Sequence, residues 1–277
     1  MPRGGRAAGR DGESMADHTD QPIMIGDCRI RLMRGGTGAP LLFLHGGGGA
    51  GIWLPAMARL AKKFDVIVPE HPGFGQSDTP AWLDTIADLA NFYLDFLETL
   101  DLRGVHLAGS SLGGWIAAEL AVRNASRLAS LTLIGSAGIR VDGVAEVDTF
   151  LLSEEQRIRA LFYDQELAEA VVASSERPEA EDAALKNRTT TARLAWQPRN
   201  HDPHLRKWLH RIKVPTLLVW GADDRLFPPD YASAFAQLIP GAKTVVLPRC
   251  GHLPHVEQGD AFTAELESFI GAMRIAA

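Results

Sequence analysis

A serine, an acid and a histidine, the three residue types that together build an acyl-transfer nucleophile, follow one another along this chain as Ser111, Asp224 and His252. A serine hydroxyl is a weak nucleophile until an imidazole takes its proton, and the imidazole needs a carboxylate to hold it in one tautomer. Ser111 sits in Gly109-Ser110-Ser111-Leu112-Gly113. Glycines on both sides suit a sharp turn that pushes the hydroxyl outward with little bulk around it. A helix starting just after Ser111 would aim the Leu112 N–H at a developing oxyanion. Each piece alone has a plainer reading. A Gly-x-Ser-x-Gly match is usually an ordinary turn, a single histidine is usually surface or core, and an acid in a Gly/Asp loop is usually a turn or cap. What favours chemistry is the placement of all three.

That placement comes from the elements around them. Short apolar runs alternate with helical patterns from Pro22 onward, the rhythm of a mostly parallel sheet flanked by helices, an α/β fold. Met24-Ile25 and Arg29–Met33 read as an opening hairpin around Gly26-Asp27, and Leu41–Leu44 as a buried strand ending in His45 and four glycines. Further strands are expected at Val66–Val68, Val105–Ala108, Leu131–Ile134, Pro215–Trp220 and Thr244–Leu247. Helices are expected at Trp53–Ala61, Ile86–Leu100, from Leu112 to about Val122, after Pro229, and at Ala261–Met273. Ser111, Asp224 and His252 each fall just beyond the carboxyl end of a strand, where open α/β sheets carry their sites.

Between Ile139 and Lys213 the character changes. Residues 140–212 are rich in charge, alanine and leucine, without a convincing strand, and too long for a plain crossover. They are expected to form a helical cap on a core made of 22–139 and 213–277. Residues 1–21 have almost no large apolar side chain and are expected to be a disordered tail, with 1–14 dispensable. With 46% hydrophobic and 22% charged residues, the 277-residue chain can bury a full core. Its net charge of -6 argues against nucleic acid as a partner. No apolar run approaches the roughly 18 residues of a membrane span. Cys28 and Cys250 have no metal-ligand spacing and read as two reduced thiols of a cytoplasmic protein, with one long-range disulfide as the alternative. His201-Asp202-Pro203-His204 has too few ligands nearby for a metal and reads as a solvated loop.

The chain resembles α/β-hydrolase-fold enzymes over nearly all of residues 22–274. The matching segments are Leu44-His45-Gly46-Gly47-Gly48, His71-Pro72-Gly73-Phe74-Gly75-Gln76-Ser77-Asp78, Gly109–Gly114, Trp220-Gly221-Ala222-Asp223-Asp224 and Gly251–His255. Jointly these are specific, whereas any one is weak to moderate. The resemblance places the acid four residues after the tryptophan, which selects Asp224 over its neighbour Asp223. It implies a catalytic Ser111, His252 and Asp224, with an oxyanion hole made by the N–H groups of Leu112 and of Gly47, or alternatively Gly48. His45 and the Pro72–Gly75 loop are expected to shape the oxyanion loop and sheet edge rather than do chemistry, and His255 to pack its loop. No metal or organic cofactor is implied. Gly48, Ser110 and Trp196 are assigned to substrate contact; Phe150, Phe162 and Tyr163 either line the pocket or form the cap's own core.

Within this resemblance, a serine at the elbow argues against haloalkane dehalogenases and epoxide hydrolases, which use aspartate there. The glycine run at 46–49 resembles that of hydrolases acting on the carbon–carbon bond of ring-fission dienoic products. Those tend to carry a proline in that loop and a tryptophan after the histidine, where this chain has Gly49 and Leu253. The expected activity is therefore hydrolysis of a small to medium, mainly apolar ester, with carbon–carbon hydrolysis second. A triad-bearing ligand receptor with little turnover, and acyl transfer to an acceptor other than water, stay open. The partner is a small molecule. Substrate size and oligomeric state are not legible.

Overall fold

Side-chain parity along the strands decides how this chain layers. In β3 (Ala39–Leu44), Leu41 and Phe43 enter one apolar cluster while Leu42 and Leu44 enter another, so both faces of the strand are buried. The same split recurs in β7 (Thr216–Gly221), where Leu217 and Val219 face one way and Leu218 and Trp220 the other. A strand buried on both faces must lie inside a sheet covered by helices on each side.

The computed structural model describes residues 18–276 apart from 146, 176 and 177. Its eight strands form one sheet in the order β1-β2-β4-β3-β5-β6-β7-β8. The hairpin β1 (His18–Ile25) and β2 (Cys28–Gly35) runs antiparallel along one edge. From β4 (Phe64–Pro69) and β3 through β5 (Val105–Ser110), β6 (Leu128–Ile134), β7 and β8 (Lys243–Leu247) every pairing is parallel. Helices α1 (Pro55–Leu60) and α9 (Gly259–Ala276) cover the cluster with Leu41 and Phe43. Helices α2 (Ile86–Thr99), α3 (Leu112–Arg123) and α7 (Asp230–Leu238) cover the other, and α8 (Pro254–Glu257) is a single turn after His252. Helix α2 starts where Thr85 and Asp88 form a reciprocal capping box, which satisfies backbone donors left open by the first turn.

The segment after β6 carries α4 (Glu154–Leu161), α5 (Gln165–Ser175) and α6 (Pro178–Ala195), followed by two short 3-10 turns before β7. Among the described residues of 140–212 there is no strand, only an isolated bridge from Gly138 to His201. Ile158, Phe162, Ala168 and Val172 form a small core of their own under α4 and α5. One boundary needs correction. The hairpin reaches back to His18, so residues 18–21 are strand rather than tail; Gln21 and Asp20 pair with Leu32 and Met33. The rest of the expected tail, including 1–14, lies outside the described residues. Cys28 and Cys250 are free, buried in different clusters, and burial pushes their thiols up to about 11 and about 12. Among the described residues no helix is long and apolar enough to cross a membrane.

Candidate active site

Strand β5 ends at Ser110 and α3 begins at Leu112, so Ser111 alone makes the turn between them. It does so at φ 56° and ψ −116°. A non-glycine residue held in such a region costs about 1–3 kcal/mol and persists only where its surroundings fix it. Here the Ser111 N–H donates to the Ile134 carbonyl at 2.9 Å, and the Ser111 carbonyl accepts from Ala137 N–H at 3.2 Å. The flanking glycines are required by contact. A Cβ on Gly109 would lie 2.2 Å from the Gly113 carbonyl oxygen, and one on Gly113 would lie 2.2 Å from that of Leu44.

His252 and Asp224 meet at the ends of β8 and β7. Asp224 is buried, and its Oδ2 lies 2.8 Å from His252 Nδ1. Its Oδ1 accepts from the N–H groups of Leu226 and Phe227 at 2.9 and 3.0 Å, which fixes the carboxylate. The neighbouring Asp223 points into solvent, although its N–H binds the Cys250 carbonyl. A carboxylate accepts only, so Nδ1 carries the imidazole proton and Nε2 presents a lone pair. Nε2 is buried and has no hydrogen-bond partner. Gly135 follows the residue that holds Ser111 and lies against the His252–Asp224 pair. The residue before it, Ile134, holds Ser111, while a Cβ on Gly135 would lie 3.2 Å from both Asp224 Oδ2 and His252 Nδ1. The structure thus joins the histidine to the acid, but no hydrogen bond joins Ser111 Oγ to Nε2.

The glycine run after β3 lies against the elbow, with a Cβ on Gly46 falling 3.2 Å from Ser111 Cβ. Gly49 N–H closes a turn onto the Gly46 carbonyl at 3.1 Å, which puts Gly47 and Gly48 at its centre. Two buried histidines hold this loop from below. His71 N–H donates to His45 Nε2 at 2.9 Å, so His45 keeps its proton on Nδ1 and donates to the Gly46 carbonyl at 2.7 Å. His71 in turn donates from Nε2 to the His45 carbonyl at 2.9 Å and accepts at Nδ1 from the Tyr93 hydroxyl. Every ring nitrogen has one role, which requires both imidazoles to be neutral. Burial enforces this, lowering His45 to about 4 and His71 well below its ordinary value.

A model of the alpha/beta hydrolase fold family matches residues 39–258. The chain belongs to that family. It is 30% identical over 270 residues to a 2-hydroxy-6-oxo-6-phenylhexa-2,4-dienoate hydrolase of Burkholderia cepacia, covering 86% of this chain and 90% of that one. It is 26% identical over 273 residues to a 2-hydroxy-6-oxo-6-(2'-aminophenyl)hexa-2,4-dienoic acid hydrolase of Metapseudomonas resinovorans, covering 93% of each. Among solved structures it resembles a membrane phospholipase A described as a bacterial virulence factor, with TM-score 0.78 and 25% identity, covering 93% of this chain and 87% of that one.

Around this hydrolase-family centre the other expected residues fall unevenly. Ser110 precedes the elbow with its Oγ buried and without a partner, while Gly48 sits at the tip of the glycine turn with its carbonyl bound by Asn187. Trp196, at the end of α6, is half-exposed; Phe150 meets its ring edge-on at 5.4 Å and the Arg199 guanidinium stacks 4.0 Å from it. Phe162 belongs to the cap's small core and Tyr163 is exposed. His255 packs between Phe43 and Phe262, with ring centroids 5.1 and 6.1 Å away. Among the described residues no cluster of His, Cys, Asp or Glu is arranged to hold a metal ion.

Sequence reasoning missed how the cap grips the histidine loop. His252 N–H donates to the Leu161 carbonyl at 2.7 Å. Glu257 accepts from Gly251 N–H with one oxygen and from the cap's Asp164 N–H with the other, both at 2.5 Å. A carboxylate five residues after a candidate base was visible in the sequence, but its partner in the cap is 93 residues away and left no pattern.

Proposed function

We propose that this protein is a serine hydrolase that cleaves a small to medium, mainly apolar ester through an acyl-enzyme on Ser111. The observations that support this reading are the strained Ser111 turn and the buried, hydrogen-bonded His252–Asp224 pair, both adjoining Ile134-Gly135. Ser111 Oγ attacks the ester carbonyl as His252 Nε2 takes its proton, forming an Oγ–C bond and an oxyanion. The Leu112 N–H at the start of α3 and the Gly47 N–H in the facing loop stabilise that charge. Collapse breaks the ester C–O bond, and the proton on Nε2 goes to the departing alkoxide. Water then attacks the acyl carbon and passes a proton to Nε2; the acyl C–Oγ bond breaks, Nε2 returns the proton to Ser111 Oγ, and the acid leaves. Asp224 keeps the imidazole in the tautomer whose Nε2 can accept. The phospholipase likeness and the Gly49 and Leu253 positions support an ester over a dienoate.

A second reading, hydrolysis of the carbon–carbon bond in a ring-fission dienoate, is favoured by the names of the two relatives. A chain-length series of p-nitrophenyl esters beside a ring-fission dienoate, with wild type and Ser111→Ala, separates the two. Ester turnover that vanishes in Ser111→Ala supports the first reading. Turnover of the dienoate alone replaces it with the second, and a ligand bound tightly without turnover of either returns the receptor.

A further inference from the structure

Four successive glycines, 46–49, have no side chains with which to hold their own peptide planes, and glycine loses more freedom on ordering than any other residue. In this loop the holding is done from outside, through the carbonyls. The Gly46 carbonyl receives His45 Nδ1 at 2.7 Å and Gly49 N–H at 3.1 Å. The next two carbonyls are held by the cap. Thr191 Oγ1 donates to Gly47 O at 3.1 Å, and Asn187 Nδ2 donates to Gly48 O at 2.9 Å. Because a trans peptide sets C=O and N–H on opposite sides, each fixed carbonyl aims the N–H of the following residue. Thr191 therefore aims Gly48 N–H away from α6, while Asn187 fixes the Gly48–Gly49 peptide and with it the Gly49 N–H that holds the Gly46 carbonyl, whose peptide carries the Gly47 N–H.

The Asn187 carboxamide is buried and its orientation is not ambiguous. Its Oδ1 accepts from Gly75 N–H at 2.8 Å, a donor only, while its Nδ2 faces a carbonyl, an acceptor only. One side chain thus ties the glycine run to the Gly73–Ser77 loop. The same helix face adds Thr190 Oγ1 to Gly73 O at 2.6 Å, and Lys186 Nζ to the carbonyls of Gly75 and Ser77 at 2.9 and 2.6 Å. Approach this close needs glycine, since a Cβ on Gly49 would lie 2.4 Å from Asn187 Nδ2.

We propose that cap helix α6 is a working part of the oxyanion hole, with Asn187 and Thr191 as positioning residues that aim the N–H groups of the Gly46–Gly49 loop. The inference rests on the acyl-transfer reading of Ser111. It makes cap seating and oxyanion stabilisation one event: a cap that lifts to admit an ester releases two of the three carbonyl pins, and the hole re-forms as the cap closes over the bound substrate.

The test compares Asn187→Ala, Thr191→Val and Thr191→Ser with Arg193→Met, which removes an exposed α6 tether to Asp84 without touching the glycine loop. Three quantities are read: kcat and KM on a p-nitrophenyl ester, affinity for a trifluoromethyl ketone that mimics the tetrahedral adduct, and amide exchange of the loop peptide. Losing an oxyanion donor outright costs about a hundred- to a thousandfold in kcat, so loosening one should cost roughly ten- to a hundredfold. Asn187→Ala and Thr191→Val should lose kcat and ketone affinity together, hold KM nearly constant, and exchange loop amides faster. Thr191→Ser and Arg193→Met should resemble wild type. Unchanged kcat and exchange in Asn187→Ala and Thr191→Val, or an equal loss in Arg193→Met, would overturn the inference. Loosened loop amides in variants of a wild type that neither turns over esters nor binds the ketone would support the clamp and sink the acyl-transfer reading instead.

Discussion

Lowering the pH from 7 to 4.5 should destabilise this protein mainly through three buried neutral histidines, and His255 is the one whose share can be isolated. Burial, reinforced by the neighbouring His252, holds His255 down at about 3 against an ordinary value of 6.5. The unfolded chain therefore takes up a proton below pH 6.5 that the folded chain refuses. Stability from this residue is fully present above 6.5 and is lost as pH falls towards 3. At pH 4.5, two units into that window, the loss is about 3 kcal/mol at 1.36 kcal/mol per unit. His45, lowered to about 4, and His71, lowered well below 6.5, follow the same rule. His45 adds a loss of similar size and His71 a further loss in the same direction, against a total stability of roughly 5–15 kcal/mol for an ordinary domain. His255 lies between Phe43 and Phe262 with a buried, unpartnered Nδ1, so phenylalanine suits the site. Urea unfolding of wild type and His255→Phe, followed by tryptophan fluorescence from pH 7 to 4.5, measures the share. The variant should lose about 3 kcal/mol less than wild type over that range, whatever its offset at pH 7. Parallel curves for the two proteins would refute the reasoning.

Gly113→Ala should lower stability by about 2–3 kcal/mol or more and abolish activity, because its Cβ meets backbone at 2.2 Å from Leu44 O and 2.5 Å from His45 O; a thermal melt with an ester assay checks both. Asp224→Asn should cut kcat about 10³–10⁴-fold, since an amide that keeps the Leu226 and Phe227 bonds must turn its NH2 towards His252 Nδ1 and force the proton onto Nε2. Asp223→Asn, altering an exposed side chain, should stay within about twofold of wild type; equal damage from both would misassign the acid. Glu257→Gln replaces one of two acceptor oxygens between Gly251 and Asp164, and should destabilise by about 1.5–3 kcal/mol in urea unfolding while lowering kcat more than it raises KM.

Much of this molecule was legible because parallel strands buried on both faces read as unbroken apolar runs. Leu41–Leu44 and Pro215–Trp220 located β3 and β7 within a residue or two, and chain order then put Ser111, Asp224 and His252 at strand ends. Strand β1 was read short because it is an edge strand. His18–Gln21 are exposed, so no apolar alternation marks them, and their pairing rests on backbone bonds and on ion pairs such as Asp20 with Arg31. The contacts that α4 and α6 make with the glycine and histidine loops were not legible. Asn187, Thr190 and Thr191 did leave a trace, since three polar residues at i, i+3 and i+4 mark one helix face that wants partners. Nothing in the sequence says that those partners are the carbonyls of two loops 117, 139 and 144 residues earlier.

The central claim, that Ser111 is a nucleophile activated by the His252–Asp224 pair, is tested most directly by labelling with a fluorophosphonate and locating the adduct by peptide mass spectrometry. One adduct per chain on the peptide holding Ser111, absent in Ser111→Ala and formed far more slowly in His252→Ala, is the predicted result. No adduct on wild type, or one on another residue that persists in Ser111→Ala, would contradict it.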